Sequence, residues 1–259
     1  MRQLLLKSVL FLIMIGIPSL SFAQSFGKNK VQYSAFDWRY IETPHFTIHY
    51  YEGCNYIAEF AAEVMEAQLT RLQDMFEYQI RKKIPLVVYK SHNDFQQTNV
   101  IPDYMEEGIG GVTELFKNRI VVPFEGSYEQ FYHVLRHELV HGYMNDMIYG
   151  GSVQSILSSN VQLQLPLWFA EGLAEYLSLW WDTRTDMVVR DATINDYLKT
   201  KMSPYPQGQS IFKHIEEKYG AQKVADVVRR VNITKDVDKG IRSSLGIDSK
   251  KLLEEWEKK

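Results

Sequence analysis

A single cysteine, Cys54, stands in a chain of 259 residues. One thiol cannot close an intramolecular disulfide, so the fold has to be held by packing. It cannot build a cysteine-rich metal site either, and any bound metal must rest on histidine and carboxylate ligands. An excess of one charge is missing too. Lys and Arg total 29 against 32 Asp and Glu, a formal charge of −3, with no long run of like charge. That excludes the broad basic surface by which proteins bind nucleic acid. After the first two dozen residues no apolar run approaches the roughly 20 residues that a membrane span needs. Low-complexity segments and internal repeats are lacking as well.

What is there begins with a processing signal. Arg2 and Lys7 precede an apolar run from residue 8 to 20, and Ser21-Phe22-Ala23 sets small residues before Gln24. This is the pattern of a cleaved secretory signal over residues 1–23, which places the chain in the periplasm or outside the cell. Residues 24–43 read as an irregular N-terminal arm. The rest, 44–259, reads as one domain, 45 % apolar residues being enough to fill a core.

Within that domain, strands come first. Residues 44–51 and 84–90 are short runs rich in β-branched and aromatic residues, and 108–115 with 118–124 form two more around a tight turn near Lys117. Between the first two, residues 55 to about 79 carry apolar side chains at helical spacing. From Ser127 onward the pattern is helical. Ser127 and Gln130 match a capping box at the head of a helix running to about Ile148, ahead of Gly150-Gly151. Residues 152–164 read as a loop, Pro166 opens another helix, and short helices follow after Pro206, over 221–231 and twice near the C-terminus. The expected class is α+β: a small mixed sheet in about 44–150, packed on one long helix, then a helical part in about 151–259.

The long helix contains His137-Glu138-Leu139-Val140-His141, which fits H-E-x-x-H. Residues four apart share a helix face about 6 Å apart, so two imidazoles there can converge on one zinc ion. Glu138 lies beside them as a proton acceptor for a metal-activated water. A third histidine at the next expected spacing is absent, since Met144 and Met147 occupy those positions. The third ligand has to come from elsewhere. Trp168-Phe169-Ala170-Glu171-Gly172-Leu173-Ala174-Glu175-Tyr176 offers two carboxylates, four apart, on an otherwise apolar helix. Glu171 is the candidate third ligand, and Glu175 the candidate acceptor for the far ring nitrogen of a ligating histidine.

The pair H-E-x-x-H and W-x-x-E-G-x-A-E-Y resembles the gluzincin zinc metallopeptidases, which include thermolysin and the M1 aminopeptidases. The layout is most similar to the peptidase MA-like domains of exported bacterial proteins. The resemblance implies a zincin-like fold, one zinc ion and hydrolysis of peptide bonds in peptides or proteins. It implies Glu171 as third ligand. Pro204-Tyr205-Pro206-Gln207-Gly208 resembles the P-Y-x-x-G segment of such enzymes, which implies Tyr205 as a donor to the oxyanion. Gly110-Gly111-Val112 resembles their substrate-binding strand. Thr113 departs from that pattern, where the aminopeptidases carry a glutamate that binds the substrate amine, and an endopeptidase, or an enzyme with another exopeptidase preference, is expected. The alternative is a zinc-bound but non-catalytic binding or assembly module at the cell envelope, with the charged stretch 252–259 as a surface for an envelope partner protein. His133 is too far from His141 to share one ion with it, about 12 Å along the helix. His45, His49, His92 and His214 stand alone and read as structural.

Overall fold

The computed structural model describes residue 31 and residues 33–99, 109–115, 117–150, 165–198 and 202–258. The signal segment 1–23 and the stretch 152–164, expected to be a loop, lie outside the described residues. Within 33–259, a mixed sheet of five strands precedes a helical part, as an α+β reading requires.

The sheet is built around its most apolar strands. β2 (Phe46–Tyr51) and β3 (Ile84–Tyr89) lie side by side and parallel, Phe46 opposite Ile84. β5 (Arg119–Pro123) continues the sheet parallel to β3, with Ile120, Val121 and Val122 wholly buried. β2 and β3 alternate buried and half-buried residues over their first four positions, one face of each turned into the core. β4 (Val112–Glu114) pairs antiparallel with β5 at one edge, and Glu114 and Arg119, opposite each other, form a 2.7 Å ion pair. At the other edge lies β1 (Trp38–Glu42), antiparallel to β2, in the segment expected to be an irregular arm. Four of its five residues are exposed, so it lacks the alternation that betrays a half-buried strand.

α1 (Asn55–Phe76) follows β2 and buries Ile57, Ala61, Met65, Leu69, Leu72 and Phe76 at steps of three and four. It packs on β2 and on α3 (Tyr128–Tyr149). A single turn, α2 (His92–Phe95), lies after β3. α3 begins where expected: the Ser127 hydroxyl accepts a hydrogen bond from the Gln130 amide, and Gly150, at φ 74°, ends it. Its inner face rests on β4 and β5, and Asn118 donates to the Gly142 carbonyl at 2.9 Å. Arg136 ties three helices together, donating to Gln68 of α1 and to the Leu177 carbonyl of α4 (Leu167–Leu179). α5 (Thr183–Ile194) has mostly exposed or half-buried residues and no clear apolar spacing, so only its Asp182 cap marks it. α6 (Pro204–Tyr219) starts at Pro204 rather than after Pro206, because a first turn has no intrahelical N–H bonds for proline to remove. α7 (Gln222–Thr234), α8 (Val237–Leu245) and α9 (Ser249–Trp256) close the chain. Leu252 and Trp256 of α9 are buried, and the Trp256 indole donates to Ser210 of α6, so the apolar side of this terminal helix is used within the chain. No helix among the described residues is long and apolar enough to cross a membrane.

Candidate metal centre

Steps of four residues place His133, His137 and His141 along one face of α3, and α4 packs against that face with Glu171 and Glu175, also four apart. The two helices meet through these side chains. His137 Nε2 and His141 Nε2 lie 3.1 Å apart. Glu171 Oε2 is 3.3 Å from the first and 3.2 Å from the second. Zinc bound tetrahedrally at about 2.0–2.1 Å holds its ligand atoms about 3.3 Å apart. The three atoms thus form a triangle of the size of one face of such a tetrahedron, and donor type agrees with donor spacing. His137, His141 and Glu171 are a set able to hold a metal ion.

The electrostatics of the set point the same way. Burial alone would raise the Glu171 carboxyl; hydrogen bonds to His137 and His141 outweigh it and hold the group well below the usual carboxylate range. Burial alone would lower His141; the carboxylates of Glu171, Glu138 and Glu175 outweigh it and raise its affinity for a proton. The pocket therefore attracts positive charge.

Glu175 serves two histidines. Its Oε2 is hydrogen-bonded to His133 Nε2 at 2.9 Å, while its Oε1 lies 3.6 Å from the buried Nδ1 of His137. A far ring nitrogen of His137 or His141 was the expected partner; the short bond goes to His133 instead, and the contact with His137 Nδ1 is longer than a hydrogen bond. His133, His137 and Glu175 are a second group able to hold a metal, sharing His137 with the first. From the sequence His133 reads as a partner near the site or simply a helix-face residue, and the structure places it at the site as the short partner of Glu175. Its signal was the repeat of four shared by both helices.

Glu138, on the sheet side of α3, is buried. Its Oε2 accepts a 2.6 Å hydrogen bond from the Thr113 hydroxyl on β4, a contact that no sequence pattern announced. Gly111 and Val112 also line the cleft of about 430 Å³ that opens onto these residues, with Met144, Asn145, Leu165 and Leu173 farther along. Gly110 does not line it; it packs against Val134 of α3. Tyr205, at the start of α6, reaches the cleft from the other side. Its ring stacks on His137, centroids 5.9 Å apart and planes 22° apart. Burial, then the charges of Glu171 and Glu138, push its phenol up to about 12, so it is a neutral donor near pH 7.

The remaining histidines lie elsewhere. His45 is held by Glu66 at 2.7 Å and His92 by Glu125 at 2.9 Å. Asp146, beside the motif in sequence, points away from it and accepts from Tyr78 and the Arg81 amide.

No protein-family model matches the chain, and no curated protein matches it.

Proposed function

We propose that this chain is a zinc-dependent hydrolase of peptide bonds, a gluzincin-type endopeptidase exported to the periplasm or beyond. The observation that carries the reading is the triangle of His137, His141 and Glu171 donor atoms, 3.1–3.3 Å on a side, opening on the same cleft as the Glu138 carboxylate. Two imidazoles and one carboxylate are the ligand set that zinc takes in hydrolytic sites with an open position. When bound, the ion supplies Lewis acidity, making a water more acidic and drawing charge from a substrate carbonyl.

The chain's own residues supply the rest. Glu138 accepts the proton of the attacking water and returns it to the leaving amine. Tyr205, kept neutral by burial and by the carboxylates around it, donates to the oxyanion that develops on the carbonyl. β4 lies at the edge of the sheet along the cleft, and an extended peptide can add to it beside Gly111 and Val112. Thr113 supports endopeptidase over aminopeptidase action, since its hydroxyl engages Glu138 and puts no charge in the cleft for a substrate amine.

Peptides cut by the mature chain, and left intact by Glu138→Gln with matched zinc content, are the expected result in a diverse mixture read by mass spectrometry. Zinc binding by both proteins with cleavage by neither would replace this reading with that of a binding module.

A further inference from the structure

We infer that Thr113 is a positioning residue for Glu138, holding one carboxylate oxygen so that the other faces the reacting water. The inference rests on the hydrolase reading above. Glu138 stands on a helix and Thr113 on a strand, 25 residues apart, and a 2.6 Å hydrogen bond joins them. The strand's register against β5, Thr113 opposite Ile120, fixes the hydroxyl at this point of the helix.

The residue just before the strand also holds the stem of the side chain. A β-carbon on Gly111 would lie 3.0 Å from Glu138 Cγ, tighter than ordinary contact, so the glycine makes room for the stem and walls it in. With its stem against Gly111 and Oε2 taken by Thr113, Glu138 has Oε1 left to receive a proton.

The hydroxyl has a second acceptor. Thr113 Oγ1 lies 3.0 Å from the main-chain carbonyl of Glu138 itself. The single hydroxyl proton goes to the nearer acceptor, Oε2, with the carbonyl as its alternative. A proton received on Oε1 leaves Oε2 an acceptor, so the Thr113 hydroxyl keeps its bond to it. Both states of the base are thus held in one side-chain position, with no net transfer of atoms to or from threonine. Serine preserves this arrangement. Valine, of the same shape, removes it.

The test uses the zinc-loaded chain and a peptide that it cleaves. For Thr113→Val, kcat falls about 10- to 100-fold with KM within about twofold, since misplacing a catalytic group by about 1 Å costs that much. Thr113→Ser keeps most of the parental kcat, and zinc content is equal in all three proteins. Independently of activity, thermal unfolding of the metal-free Thr113→Val, Glu138→Gln and double variants shows coupling: the double variant shifts the midpoint by less than the sum of the two. Thr113→Ala takes the place of valine if that variant does not fold. The inference is overturned by an unchanged kcat in Thr113→Val, by a serine variant as impaired as the valine, or by additive midpoints. A parental chain that binds zinc and cuts nothing overturns the hydrolase reading and this role with it, whereas failure of this role alone leaves the parental chain and Thr113→Val equally active.

Discussion

A β-carbon placed on Gly172 would stand 2.2 Å from the Cα of Gly208, so α4 and α6 cross backbone against backbone at these two glycines. Glu171 immediately precedes the first, and Tyr205 lies three residues before the second. The close crossing is what brings the phenol over His137 and beside the carboxylate.

Gly208→Ala puts a methyl 1.8 Å from the Trp168 carbonyl oxygen, and Gly172→Ala meets the main chain of Gly208. Main chain cannot rotate aside as a side chain can. Each substitution is expected to force the helices apart at a cost of about 3 kcal/mol, read as a lower thermal midpoint of the metal-free chain. Zinc affinity, measured by competition with a chromogenic chelator, falls at the same time because Glu171 moves with α4.

Zinc binding to the folded state alone raises stability by mass action, about 2.7 kcal/mol at a hundredfold excess over Kd. The parental midpoint rises on adding zinc and returns on adding chelator. His141→Ala and Glu171→Ala, each lacking one corner of the triangle, show little or no rise under the same conditions.

Tyr205→Phe removes a hydrogen-bond donor and keeps the ring that stacks on His137. kcat is expected to fall about a hundredfold with little change in KM, the size of one lost oxyanion donor. The phenol, pushed up to about 12, stays neutral below about pH 10. Parent and Tyr205→Phe therefore share one pH profile in that range, differing only in height.

Away from the site, Glu66 gives an acid-side stability prediction. Burial would raise its carboxyl, but hydrogen bonds from Thr43 and His45 outweigh it and lower it below its ordinary value of 4.5. The folded state thus binds fewer protons at Glu66 than the unfolded chain does between the two pKa values. Its stabilising contribution is present above pH 4.5 and is lost as pH falls through the lowered value. Glu66→Gln is expected to cost about 1 kcal/mol at neutral pH in urea unfolding, with the difference from the parent shrinking in acid.

How much of this was legible in the sequence varies by element. The long helix could be read because Ser127 and Gly150 mark its ends, and β2, β3 and β5 because they are short runs rich in β-branched and aromatic residues. β1 and α5 could not, since both are largely solvated and local spacing reports burial, not hydrogen bonding. α9 could be read as an amphipathic helix, but only packing shows that Leu252 and Trp256 turn its apolar side inward.

The same division runs through the site. The sequence by itself determined that His137 and His141 share a helix face and that Glu171 and Glu175 share another, because a helix repeats every 3.6 residues wherever it lies. Only the tertiary structure decided that Glu171 of α4 meets the histidines of α3 at 3.2–3.3 Å, that Glu175 takes His133 as its short partner, and that Thr113 reaches Glu138. Those contacts join residues 25 to 42 positions apart on different elements. They depend on how closely two backbones approach, at Gly172 and Gly208 for the helices and at Gly111 for the strand, and no local periodicity encodes that distance.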